Sequence, residues 1–159
     1  MAIENVEVSN GPEREPIPSE IDIVFFEDSP EWQAILKNRN TPLNCKVIVN
    51  MEDARALLAN LDNGSTRLTM SAFVDGNLRP GYGDNADGRE IIERLRRVRD
   101  IYEKHGLPTF DILSFASGRL EADVDRSSGR IIRYKIDTGA FQKKLEEYDS
   151  RKDGDSTKK

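Results

Sequence analysis

The chain has 159 residues, 33% of them charged and 36% apolar, with a formal net charge of −5. That length suits one domain around one core, with the charge excess gathered in polar ends. No apolar run approaches the roughly 20 residues of a membrane-spanning helix, and the opening MAIENVEVSNGPEREP lacks the basic and apolar regions of a secretory signal.

Residues 1–19 carry Pro12, Pro16 and Pro18 among acids and few large apolar groups, and read as a disordered arm. A single domain is expected over 20–148, and DSRKDGDSTKK at 149–159 reads as a frayed tail. Within the domain, IDIVFFE is a strand. DSPEW starts a helix, with Ser29 as cap and Pro30 in the first turn, where its missing N–H does no harm. CKVIVN is a buried β-branched strand. Asn50 caps the next helix, whose inner face is Met51, Ala54, Leu57, Leu58 and Leu61. A third strand carries Leu68, Met70, Ala72 and Val74 on one face. The clearest helix is 88–105, with a stripe of Ile91, Ile92, Leu95, Val98 and Tyr102, ended by Gly106 and Pro108. Phe110 to Phe115 is a strand, and a short helix capped by Thr138 buries Phe141, Leu145 and Tyr148.

The stretch RLEADVDRSSGRIIRYKID, 119–137, holds nine charged groups, four of them arginines. Leu120, Ala122 and Val124 alternate in its first half, and Ile132, Tyr134 and Ile136 in its second. This predicts an antiparallel hairpin closed by Ser127-Ser128-Gly129. In that register Asp123 meets Arg133, Glu121 meets Lys135, and Arg119 meets Asp137. The fold class expected from the whole is α+β: a mixed β-sheet of about five or six strands with a C-terminal antiparallel hairpin or meander, packed against three or four helices.

Charge is distributed unevenly. Residues 1–31 hold nine acids and one arginine, residues 32–148 hold 17 acids and 19 basic groups, and the tail holds three and four. Nucleic-acid binders show the reverse, a clear basic excess on the body. The arginines of helix 88–105 have i,i+4 acids, Glu90–Arg94, Glu93–Arg97, Arg96–Asp100 and Arg99–Glu103, which marks a solvated helix face. Arg126 and Arg130 have no such partner across the expected hairpin.

The long connection DGNLRPGYGDNADG, 75–88, is the main candidate for function. Arg79 and Tyr82 are residue types that anchor protein interfaces. Asp75, Asp84 and Asp87 offer oxygen ligands for a hard cation, although no EF-hand spacing is present. The chain contains no GxGxxG, no Walker loop, no HExxH and no GxSxG, so no cofactor is expected. Cys45 is the one cysteine and His105 the one histidine. The lone cysteine fits a reducing, cytoplasmic setting.

The expectation is therefore a small non-enzymatic cytoplasmic domain of inhibitor, immunity or adaptor type. Its acidic N-terminal region, with Arg79, Tyr82, Asp84, Asp87, Arg126 and Arg130, would engage a protein of basic surface. The alternatives are a metal-assisted enzyme built on Asp75, Asp84 and Asp87, and a nucleic-acid regulator reading phosphate through its arginines.

Overall fold

A computed structural model of the chain describes residues 18–79, 84–116, 120, 122–123 and 132–157. Strands and helices alternate through it. They are β1 (Ser19–Phe26), α1 (Pro30–Lys37), β2 (Cys45–Ile48), α2 (Met51–Asp62), β3 (Thr66–Val74), α3 (Ala86–Lys104), β4 (Asp111–Ser114) and α4 (Thr138–Thr157). The four strands form one sheet in the order β2-β1-β3-β4, and every pairing is parallel. Parallel neighbours need a crossover of a dozen or more residues, which the intervening helices supply. Right-handed crossovers then put α1 on one face, where the chain moves from β1 to β2. They put α2 and α3 on the other, where it moves back past β1 to β3 and on to β4.

Two apolar layers fill the spaces between sheet and helices. On one face Val24, Phe26, Leu68, Ala72, Val74 and Ile112 meet the inner stripes of α2 and α3. On the other, Ile23, Phe25, Phe73, Leu113 and Phe115 meet Leu36 of α1 and Phe141, Leu145 and Tyr148 of α4. Alternation along each strand, with both faces covered, is why IVFF and AFV read as continuous apolar runs.

Local signals mostly act as their chemistry dictates. Asn50 Oδ1 accepts from the Asp53 N–H at 2.8 Å and caps α2. Gly106, at φ 70, lets the chain leave α3 in a left-handed turn. At α1, Ser29 holds the cap position, but its hydroxyl bonds Glu31 Oε1 instead of the backbone. At α4 the capping oxygen belongs to Asp137, whose Oδ1 accepts from the Ala140 N–H at 3.0 Å. This helix continues past Tyr148 through the segment expected to be a tail. Its far half is fastened by Arg39–Asp149 at 2.5 Å and Lys152–Asp22 at 3.6 Å. No helix among the described residues is long and apolar enough to cross a membrane.

The expected mixed sheet with its C-terminal hairpin is overturned. The sheet has four parallel strands, and the described residues after β4 contain no strand. The two apolar rows that suggested a hairpin lie on opposite sides of the sheet. Leu120 packs in the α2/α3 layer with Ala122 against it, while Tyr134 packs in the α1/α4 layer with Ile132 against it. They cannot line one face of one hairpin. Ile136 is 63% exposed and lies in a turn over 134–136. The charge pairs change accordingly. Asp123 pairs with Arg99, and with Arg96 at 3.8 Å, in place of Arg133. Lys135 pairs with Glu27 and Asp75. Arg119, Glu121 and the loop Ser127–Gly129 lie outside the described residues.

Three basic groups of α3, Arg94, Arg96 and Arg99, are matched by acids outside the helix, and one of its acids, Glu90, by a base outside it. Glu90 takes Arg55 of α2 at 2.8 Å, and Arg94 takes Asp62 at 3.0 Å. These contacts tie α3 to α2, where the i,i+4 reading kept each pair within α3.

Candidate functional site

In a doubly wound parallel sheet, ligand crevices open beyond the carboxyl ends of the strands, where successive connections leave for opposite faces. Here that point lies between β1 and β3. The chain leaves β1 toward α1 on one face and β3 toward α3 on the other. Both strands end on acids: VFFED places Glu27 and Asp28 after β1, and AFVD places Asp75 after β3.

The backbone holds these acids level. Phe26 lies opposite Val74, the Asp75 N–H donates to the Phe26 carbonyl at 3.0 Å, and the Glu27 N–H donates to the Ile48 carbonyl at 2.9 Å. One oxygen from each of Glu27, Asp28 and Asp75 then lies within 4.8 Å of the others. Glu27 is fully buried, and its second oxygen accepts from the Ser29 N–H at 2.9 Å.

Among the described residues one cation faces the cluster. Lys135 Nζ lies 2.5 Å from Glu27 Oε1 and 3.3 Å from Asp75 Oδ1, and 5.7 Å from the centre of the Phe115 ring. Burial pushes the Glu27 carboxyl up to about 6, against the pull of Lys135 and the Ser29 N–H. Burial also raises Asp75, again against Lys135 and the Gly76 N–H. For Lys135 burial works against the ammonium, but Glu27 and Asp75 outweigh it and hold the proton more tightly than usual. The cluster thus has more negative charge than one lysine offsets, in a setting that disfavours negative charge.

Two further polar atoms lie at this end of the sheet. Ser114 closes β4 opposite Val74; its side chain is buried and its hydroxyl has no hydrogen-bond partner among the described residues. Asn77, two residues after Asp75, likewise keeps a buried amide oxygen without such a partner. A buried polar atom left unpaired in an otherwise satisfied site points to a ligand that completes it.

Of the described residues singled out in the sequence, the fold brings Asp75 into this cluster and uses Asp84 and Asp87 elsewhere. Asp87 is buried and accepts from the Leu78 N–H at 3.0 Å and from Arg79 Nε at 3.1 Å. Asp84 is exposed and accepts from the Ala86 N–H at 3.1 Å. Tyr82, Arg126 and Arg130 lie outside the described residues. Cys45, on β2, has its thiol pushed up to about 11 by burial, which leaves it a poor nucleophile at neutral pH. His105 caps the carboxyl end of α3.

Glu27, Asp28, Lys135 and Ser114 were missed in the sequence. The available signal was a repeated pattern, an apolar run ending on an acid, at two strands destined to be neighbours. Comparison with protein families, with curated proteins and with solved structures finds no match to this chain.

Proposed function

We propose that the domain is a phosphoryl receiver, a signalling module that takes a phosphoryl group onto Asp75 with the help of a divalent cation. The observation that carries this reading is the convergence of Glu27, Asp28 and Asp75 at the strand switch point, with Lys135 against them and the buried, unpartnered Ser114 hydroxyl one strand away.

The donor set fits magnesium, which takes one or two carboxylates and completes its shell with water and phosphate oxygens. A cation held by Glu27 and Asp28 would neutralise charge on the incoming group and supply nothing else. The chain does the rest. Asp75 stands on the central strand, with the β1 acids on one side and Ser114 of β4 on the other. Its carboxylate is less enclosed than that of Glu27, with 14% of the side chain exposed against none. An Asp75 oxygen attacks phosphorus in line, and a new P–O bond forms. The bond from phosphorus to the donor's leaving atom breaks, and its electron pair departs with that atom. Carboxylates act in this way in aspartyl-phosphate chemistry. Lys135 balances charge on the phosphoryl oxygens, and the Ser114 hydroxyl can donate to one of them.

The expected protein partner is carried into this reading as the source of the phosphoryl group or the recipient of the signal. Ile136, exposed beside Lys135, offers it an apolar contact next to the site. The test is incubation with Mg²⁺ and acetyl phosphate, followed by intact-mass measurement. One phosphoryl group should add to the wild-type chain and none to Asp75→Asn. Equal uptake by Asp75→Asn, or no uptake by the wild type, overturns the reading.

A further inference from the structure

Residues 76–79, which follow Asp75, are tied to the start of α3, and the ties converge on the peptide next to the acceptor. The Gly76 N–H favours the charged Asp75 carboxylate, against the effect of burial. The Gly76 carbonyl accepts from the Gly88 N–H at 2.7 Å. Gly88 follows Asp87, whose side chain is only 6% exposed. The Asp87 carboxylate grips the other end of the same turn through the Leu78 N–H at 3.0 Å and through Arg79 Nε and a terminal Arg79 nitrogen, each at 3.1 Å.

Gly88 is required by this fit. A Cβ on Gly88 would lie 2.6 Å from the Asp75 carbonyl oxygen and 3.0 Å from Gly76 Cα. A Cβ on Gly76 would strike the amide oxygen of Asn85, which is itself held in the left-handed region at φ 60. The first turn of α3 therefore rests directly on the Asp75–Gly76 backbone.

From this we infer that Asp87 is a positioning residue for Asp75. It holds the turn over 76–79 against α3, so that the Gly76 peptide fixes the direction of the acceptor carboxylate. The inference rests on the phosphoryl-receiver reading and deepens it. In-line transfer needs the attacking oxygen placed to within a fraction of an ångström, and a misplacement of about 1 Å can cost about 100-fold in rate. Asp87 touches none of the reacting atoms and acts only through the turn.

The test compares wild type, Asp87→Asn and Gly88→Ala with Leu61→Ala, a core truncation in α2 away from the acids. Phosphoryl uptake from acetyl phosphate is timed at saturating Mg²⁺, well below each unfolding midpoint, and the Asp75 and Gly76 amide resonances are recorded. Asp87→Asn should slow uptake about tenfold or more, as loss of a supporting hydrogen bond commonly does. The Gly76 resonance should move, and the Mg²⁺ concentration for half-maximal rate should stay close to wild type, since Glu27 and Asp28 are untouched. Gly88→Ala presses on the same peptide from its other side and should also slow uptake; it serves if Asp87→Asn does not fold. Uptake by Asp87→Asn within about twofold of wild type overturns the inference, as does an equal slowing by Leu61→Ala. If the wild type takes up no phosphoryl group, the receiver reading fails by itself. Asp87 is then judged on the resonances: an unmoved Gly76 amide overturns its positioning role, and a displaced one upholds it.

Discussion

Replacing Lys135 by methionine keeps the length of the side chain and removes the ammonium that faces the acid cluster. Glu27, with no exposed side-chain surface, loses an ammonium at 2.5 Å, and Asp75 loses one at 3.3 Å. Removing one partner of a buried ion pair costs about 3–5 kcal/mol. An independent figure agrees: two carboxylate charges at the 4.8 Å limit of the cluster repel by about 3.5 kcal/mol at an effective dielectric constant near 20. The variant should therefore lose about 3 kcal/mol at pH 8 without divalent cations. The assay is urea unfolding followed by the fluorescence of Trp32, the one tryptophan, which packs edge-on against Phe115 at 4.9 Å. The loss should depend on pH in a fixed direction. Glu27 already holds its proton up to about 6, above its ordinary 4.5, and without Lys135 it holds it more tightly still. A native state that binds a proton more tightly than the unfolded chain gains stability as pH falls through that value. The deficit should shrink as pH falls toward about 6, the wild-type Glu27 value, and be smallest below it. Millimolar Mg²⁺ at pH 8 should restore much of it, because a divalent ion replaces the missing charge. A deficit equal at pH 5 and pH 8, and untouched by Mg²⁺, would refute the electrostatic account of the site.

Two predictions concern the opposite end of the sheet. Tyr148→Phe removes the hydroxyl that donates to Asp111 Oδ2 at 2.7 Å, and should cost about 1 kcal/mol in denaturant unfolding. Burial drives the Tyr148 phenol far above its ordinary value, so this cost should not vary between pH 6 and pH 9. Asp22→Ala strips a buried carboxylate from the Asn44 N–H at 2.8 Å, the Thr69 hydroxyl at 2.7 Å and Lys152 at 3.6 Å. Thermal unfolding should report a loss of about 1–3 kcal/mol, of which added salt changes only the Lys152 part.

Much of the fold was legible because its elements are specified locally. The stripe Ile91, Ile92, Leu95, Val98 and Tyr102 allows only an amphipathic helix, and the Asn50 cap states where α2 begins. The strands β1 to β4 were found for the same reason. What failed was the step from elements to sheet. Leu120–Val124 and Ile132–Ile136 each alternate with period two, and period two alone suggested that they face each other. Tertiary packing sends Leu120 and Tyr134 to opposite layers, a difference that no local pattern encodes. The site was half legible. Asp75 stood out because it opens a long loop, but its neighbours are Glu27, Asp28 and Lys135, far apart in the chain. Only the parallel pairing of β1 with β3 makes the two acidic strand ends adjacent. Asp84 and Asp87, close to Asp75 in sequence, instead serve the entry into α3.

The order in which these charges occur along the chain has a consequence for biosynthesis. On the ribosome the three carboxylates emerge early, whereas Lys135 and the aromatic side chains of Tyr134, Phe141 and Tyr148 come near the end. A nascent polypeptide lacking that last portion has one sheet face covered by α1 alone and its acids without their ammonium. Completion of the native state therefore waits for the final helix, and the protein gains its sealed core and the ammonium of its acid cluster in the same late event.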